Sequence, residues 1–466
     1  MNMNWIEPKI PEIAYGKPPS AWIGVLVSVG YFIVFFILAV LGWKEGKPVI
    51  NAGFFVRILL VPALAGGLIS SLIYFRYEDL VARIDLWNNL CRRIHASWRW
   101  WAQERIAIVG SVTLTPERDL GVRMLGLEGA PPANAGKTLA LALDRKEGSS
   151  SRVQQVLEEL VTPFASYMTA FAGRQRFRII VQSDREADLN DLRALLRKLV
   201  SRNLDFIELI RVPEGLDMGL VEGWLCGNEM SDYCLVLAWQ LHVAGKEPLC
   251  SEAAVALLFA SRTVIRRSDN KLKPDAWVFR PAAAAMDGVF DTLKTMLAAE
   301  QAPVERIRHL WLTHVPGQGK HATLTAVKDA GLELATHDLD FAIGLPGPIN
   351  TLLLQALSSR MVQHGQGTQL VATSYKGGVM LNLVGIHVAP VEDVEEKSPH
   401  PLSISFMLMT GCAAALFVLI CADAEASVGW YVGIFAGFIV LQLAHAVFSL
   451  IRRGQVEHEF YKALPW

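Results

Sequence analysis

The strongest constraint on this 466-residue chain is a set of four apolar stretches, paired at its two ends, with the charged residues gathered between them. A helix needs roughly 20 residues to cross about 30 Å of hydrocarbon, and in lipid it satisfies its own backbone. Residues 21–43 meet that length without a charge and end at Trp43-Lys44-Glu45. Residues 58–75 follow, with Arg57 at the entrance, where its stem can reach the interface, and Arg76 at the exit. Residues 402–422 and 428–451 form the second pair, split by Asp423-Ala424-Glu425 and closed by Arg452-Arg453. A mean hydropathy of +0.30 agrees with a chain that lies partly in lipid. About twenty residues precede the first run, and no small-residue cleavage site follows it, so it reads as an anchor and not as a leader.

Basic residues set the expected orientation. Arg76, Arg83, Arg92, Arg93, Arg99 and Arg105 follow the second run and Arg452 and Arg453 the fourth, while the short turns hold only Lys44 and Lys47 or no base. The chain therefore reads as a cytoplasmic tail (1–20), a transmembrane hairpin (21–75), a juxtamembrane helix (76–105), a cytoplasmic α/β domain (106–395), a second hairpin (402–451) and a cytoplasmic tail (452–466). In the juxtamembrane segment Leu80, Ile84, Trp87, Leu90 and Ile94 recur at helical spacing, and Trp98, Trp100 and Trp101 suit the headgroup level. Gly429, Gly433 and Gly437 line one face of the fourth run, where small residues admit another backbone. The expected partner is another helix of the same bundle, with a second copy, and hence a homo-oligomer, as the alternative.

Between the hairpins, short apolar runs alternate with helical patterns, the signature of an α/β domain with a buried sheet. Strands are expected at 106–109, 138–143, 177–181, 234–238, 253–259, 309–312, 368–373 and 379–384, and helices at 154–165, 189–202, 286–299, 322–330 and 350–364. Forty-four Lys+Arg against forty-five Asp+Glu leave a formal charge of −1, which removes the electrostatic case for a nucleic-acid partner. Six cysteines form no C-x-x-C pair and no disulfide framework.

Motifs for familiar chemistry fail on inspection. Residues 129–138 end in Gly136-Lys137-Thr138, but Pro131 stands where a phosphate loop needs its first glycine. In Gly317-Gln318-Gly319-Lys320 the next residue is His321, not the hydroxyl that would hold magnesium. There is no G-x-S-x-G and no H-E-x-x-H, and His309, His314 and His321 lack neighbours at metal-ligand spacing. No cofactor or metal is expected. Ser183, ahead of Asp188, reads as a cap for the following helix. Trp224, Trp239 and Trp277 read as core residues or, alternatively, as interface anchors.

The order of segments in the second half of this domain resembles the C-terminal half of a thiolase or ketoacyl-synthase fold. Residues 234–238 with Ser251-Glu252-Ala253-Ala254 are similar to the family's strand pair around G-E-G-A-A. Thr313-His314-Val315-Pro316-Gly317 resembles the loop of the first catalytic histidine. Gly344-Leu345 stands where the family has Gly-His, and Tyr375-Lys376-Gly377-Gly378 resembles its closing glycine loop. The resemblance implies a thiolase-like layered α/β fold flanked by transmembrane hairpins. It also exposes departures: Leu345 replaces the second histidine, and no cysteine lies between Ala102 and Leu225 to act as nucleophile. The expectation is a chain that is not an enzyme, without catalytic residues. A thiolase-like domain of that kind on membrane hairpins resembles the type VI secretion phospholipase-effector adapters. That resemblance implies an inner-membrane, multi-pass adapter or chaperone that binds a lipase effector and loads it onto the secretion spike protein. Two alternatives stand beside it: a membrane assembly protein of unknown partner, and an acyl-transfer enzyme using His314 with Ser183. A tunnel joining Cys226 or Cys250 to His314 would contradict the non-catalytic reading.

Overall fold

The computed structural model describes residues 3–42, 52–143, 151–171, 173–200, 204–213, 215–227, 230–243, 245–268, 272–391 and 403–464; Trp43, Lys44, Lys47 and Leu402, used in the hairpin reading, lie outside the described residues. The chain divides into two compact units, one of Met1–Glu7 with Trp98–Val391, the other of Pro8–Ser97 with Glu392–Trp466.

The first unit is built on an eleven-stranded mixed sheet. Its first half contains β1 (Arg105–Leu114), β2 (Phe177–Gln182), β3 (Ile207–Val212), β4 (Tyr233–Gln240) and β5 (Ala253–Ala260), in the spatial order β3-β2-β4-β5-β1. The second half contains β6 (Ala276–Phe279), β7 (Ala282–Ala284), β8 (Ile307–Thr313), β9 (Ala335–Asp338), β10 (Thr368–Tyr375) and β11 (Gly378–Gly385). With β7 set aside as an added partner of β11, its order is β9-β8-β10-β11-β6. Both halves therefore run third-second-fourth-fifth-first, and in both the fifth strand is antiparallel to its neighbours while the second lies parallel to the third and fourth. β1 and β6, the first strands of the two halves, pair antiparallel and merge the halves into one sheet.

β4, β5, β8, β10 and β11 are the apolar runs expected from the sequence. Every residue of β5 and β11 is buried, as strands covered on both faces must be. One expected strand is corrected. Residues 138–143 form no strand, because their amides go to side chains and not to a ladder: Leu139 N donates to Ser251 Oγ at 3.1 Å and Leu141 N to Glu252 Oε2 at 2.7 Å. Between the sheet's halves lies the helix Asn350–Gln363, in which twelve of fourteen residues are buried. Its polar members are satisfied locally: Gln355 and Asn382 exchange hydrogen bonds at 3.0 and 3.1 Å, and Ser358 and Ser359 donate to carbonyls three residues back.

The expected headgroup tryptophans are partly corrected here. Trp98 is 2% exposed and donates to Asn4 O at 3.1 Å, while Trp101 meets Trp5 edge-on with ring centroids 5.4 Å apart. Both are packing residues of the α/β unit. Trp100 stays exposed.

Among the described residues the second unit contains four helices long and apolar enough to cross a membrane: Ala21–Leu41, Ala52–Ala102 (whose residues from Trp98 on belong to the other unit), Ile404–Asp423 and Val428–Ala463. Large apolar side chains on them face outward; Leu26 is 68% and Phe435 66% exposed. Close helix approach is provided by Gly66, where a Cβ would stand 3.1 Å from Ser28 Cα, and by Gly67, where it would stand 3.1 Å from Cys412 Sγ. The expectation that Gly429, Gly433 and Gly437 pack a helix of the same bundle is corrected. Among the described residues nothing lies within 4 Å of a Cβ at Gly433 or Gly437, and only Ser427 Oγ, at 3.8 Å, near one at Gly429. Outside the apolar part, Leu86, Leu90, Ile94, Val456 and Phe460 form a small core, with Trp87 edge-on to Phe460 at 5.2 Å.

Candidate functional site

The residues singled out from the sequence meet where β8 ends. His314 follows β8 directly and adopts a left-handed backbone (φ 56°), uncommon for a residue with a Cβ. Asp340, in the short helix Leu339–Ile343, holds it there: one carboxylate oxygen accepts Thr313 Oγ at 2.6 Å, the other the His314 N–H at 2.7 Å. Asp338 caps that helix, accepting from Asp340 N at 3.0 Å, and takes the Lys320 ammonium at 2.5 Å. Lys320 of the false phosphate loop is thereby committed to an ion pair, and Gly319 is a packing residue against Met286, Val315 and Val379.

His314 Nε2 lies 3.0 Å from Gly347 O. A carbonyl can only accept, so Nε2 carries a proton and donates. Gly347 belongs to the loop 344–349, which is threaded tightly. A Cβ at Gly344 (φ 101°) would stand 2.3 Å from Lys137 O and 2.7 Å from Ser251 Oγ, and one at Gly347 2.3 Å from Gln240 Oε1. Leu345 N donates to Lys137 O at 2.8 Å and its carbonyl accepts Ser251 N at 2.9 Å. Gln240, buried at the end of β4, donates to Ser251 O at 2.7 Å and accepts from Ile349 N at 3.3 Å. The segment 129–138 that imitates a phosphate loop thus serves as a wall of this junction.

The remaining candidates lie elsewhere. Cys226, at the end of the helix Gly219–Gly227, has Sγ 3.0 Å from Glu222 and 3.3 Å from Arg280; the Glu222 bond and then burial push its thiol up. Cys250 precedes Ser251 and is half-buried, and burial raises its thiol too. Among the described residues neither sulfur has a hydrogen bond to His314, and no group of three His, Cys, Asp or Glu suits a metal. Ser183 donates to Asp188 at 2.6 Å and accepts from Arg185 N at 3.1 Å, organising a turn instead of capping directly. His309 pairs with His337 at 3.0 Å; burial holds both imidazoles below their ordinary value, His337 near 4. Trp224 is buried in one core cluster, and Trp239 and Trp277, partly buried, pack against another, in line with the core reading of all three. The closing glycine loop is the β10–β11 turn, with Lys376 and Gly377 both left-handed. Asp340, Gly347 and Gln240 escaped the sequence reading, because nothing local marks a residue whose partner lies 26 to 109 positions away.

No family model matches the chain, and no curated protein matches it. Among solved structures it is similar to an oxazolomycin ketosynthase domain from Streptomyces albus, at 12% identity over 63% of this chain and 98% of that one, with a TM-score of 0.42. It is also similar to human mitochondrial 3-ketoacyl-CoA thiolase, at 9% identity over 62% and 99% of the two chains, TM-score 0.37. A third is OleA of Xanthomonas campestris, at 12% identity over 61% and 97%, TM-score 0.35. The unit at residues 98–391 has an α/β fold built on one mixed sheet. The expectation of a chain that is not an enzyme is corrected: it rested only on two groups missing from the condensing chemistry of ketosynthases and thiolases. Leu345 and the missing upstream thiol remove two groups of that chemistry and do not carry the wider conclusion drawn from them.

Proposed function

We propose that this chain is an inner-membrane adapter whose thiolase-like domain, on the cytoplasmic side of two transmembrane hairpins, binds a lipase effector and passes it to a secretion spike protein. The observation that supports this reading is exposed apolar side chains on the loops and the short helix around the His314 junction: Leu249 is 86%, Val243 56%, Phe341 52% and Leu345 36% exposed. Large apolar groups left in water on adjoining loops suit a protein partner. The test is capture of the lipase encoded beside this gene by the full-length protein in detergent. Wild type should retain it, and Leu249→Glu with Leu345→Glu should weaken retention by about tenfold or more, the loss of one well-buried apolar anchor. Failure of wild type to retain the lipase overturns the reading.

A second reading, acyl transfer at the membrane, is favoured by the left-handed conformation of His314, whose N–H and the hydroxyl of the preceding Thr313 both donate to Asp340, since such strain concentrates at working sites. It requires acyl transfer from a thioester by the purified protein, and loss of that activity in His314→Ala with lipase binding unchanged.

A further inference from the structure

The helical unit holds a cleft of about 960 Å³, at the upper end of the range for small-molecule sites. Its place is defined by two helices. On Ala52–Ala102 the apolar run ends at Phe75 and the cleft is lined by residues 75–86; on Val428–Ala463 the run ends at Ile451 and the lining runs over 445–456. On both helices the cleft therefore straddles the step from apolar to charged sequence. Part of the lining is apolar, with Phe75, Ile404, Met407 and Phe448. The rest is largely ionic, with Arg83, Arg452 and Arg453 beside Glu78, Asp79 and Asp85, three charges of each sign.

These charges are held in pairs. Arg452 pairs with Asp79 and lies 4.9 Å over the Phe448 ring; Arg83 pairs with Glu459 at 2.8 Å and Arg453 with Glu457 at 3.1 Å. Each guanidinium has five N–H donors, so a single carboxylate leaves donors for a further oxygen anion. Glu78 is used structurally: it accepts Ser403 Oγ at 2.6 Å and Ser405 Oγ at 2.7 Å, fixing the start of the Ile404–Asp423 helix. Asp79, paired with Arg452, and Asp85, which accepts the Tyr15 hydroxyl at 2.6 Å, each keep further lone pairs at the rim for a cation.

We propose that this cleft is a binding site for one phospholipid of the surrounding bilayer, with a zwitterionic headgroup that carries both a phosphate and a primary ammonium. An acyl chain lies along Phe75, Met407 and Phe448. The phosphate meets Arg83, Arg452 and Arg453, and the ammonium meets Asp79 and Asp85. An anionic headgroup without the amine would satisfy the arginines and leave the carboxylates facing negative charge, so a balanced lining favours the zwitterion. The inference rests on the reading that the four helices span a bilayer.

The experiment uses full-length protein purified in mild detergent, with phosphatidylethanolamine and phosphatidylglycerol of identical acyl chains as probes, and counts retained lipid by non-denaturing mass spectrometry. Wild type should retain phosphatidylethanolamine at least about fivefold over phosphatidylglycerol, and Arg83→Gln with Arg452→Gln should lower retention about tenfold. Arg92→Gln, whose partner Glu12 at 2.8 Å lies away from the cleft, should bind as wild type. Met407→Trp fills the apolar part of the lining without touching an ion pair and should also lower retention, which covers a double variant that fails to fold. Equal retention of the two lipids, or retention unchanged in both cleft variants, overturns the proposal. Carbonate washing of membranes separates the failures: a chain released by the wash sinks the membrane reading and this site together, while a chain that stays but retains no lipid sinks the site alone.

Discussion

The two halves of the α/β unit follow one strand order and close it differently. In the second half the fourth and fifth strands join through the two-residue turn Lys376-Gly377, the third-position helix is the fourteen-residue buried Asn350–Gln363, and His314 is fixed by Asp340. In the first half the same strands join through the long segment 241–252, which leaves Val243 and Leu249 in water, and the corresponding helix Gly219–Gly227 has nine residues. One topology thus supports a half in which backbone approaches are close, and a half that spends its connections on exposed surface. Strand order alone does not dictate how tightly each half is threaded.

The sharpest way to break that comparison is to place side chains at glycines of the two connections. A Cβ at Gly378 would stand 2.1 Å from Ala284 O, a backbone atom that cannot move without parting β7 from β11, whereas Gly245 (φ 79°) has nothing within 4 Å. Gly378→Val should cost ~4 kcal/mol or more and abolish folded protein, while Gly245→Ala should cost only the ~1 kcal/mol of a left-handed alanine, both read from thermal unfolding. Equal effects would mean that the halves are equally tight.

A smaller effect is expected where the halves are joined. Arg280, fully buried after β6, pairs with Glu104 and with Glu222 at 2.8 Å and lies 4.4 Å over Trp101. Its replacement in Arg280→Met leaves two carboxylates that are only partly exposed, so a loss of about 3 kcal/mol in chemical denaturation is expected, toward the low end for a broken buried pair. A single unfolding transition that splits into two in this variant would show that Arg280 makes the halves cooperative.

The smallest effect is a pH dependence confined to the second half. Burial holds the His337 imidazole near 4, below its ordinary 6.5. Below pH 6.5 the unfolded chain binds a proton that the folded chain refuses, so this contribution to stability is complete above about 6.5 and is lost as pH falls toward 4. After allowance for partial exposure the loss is ~2 kcal/mol, and His337→Gln should flatten it in unfolding curves taken between those pH values. An unchanged slope in the variant would place the dependence elsewhere.

What could be read without coordinates follows from burial on both faces. β4, β5, β8, β10 and β11 are unbroken apolar runs, and long uncharged stretches mark the four outer helices. β9 escaped because an edge strand of four residues, with Ala335 and Thr336 exposed, carries no such run. Residues 138–143 misled for the opposite reason: the alternation Thr-Leu-Ala-Leu-Ala-Leu looks like a strand, yet Ser251 and Glu252 side chains take the amides a neighbouring strand would have bound. His314 was legible from its loop, while its fixation by Asp340 and Gly347 was not.

Composition along the chain determined by itself which segments suit lipid and which build a sheet, because burial of apolar surface depends on local pattern. Only the folded chain decided that the strand order repeats, that Gly66 and Gly67, not the glycines of the last helix, bring helices close, and that paired charges border a cleft beside Phe75. Those outcomes depend on distances between residues far apart in sequence, which no window of neighbouring residues encodes.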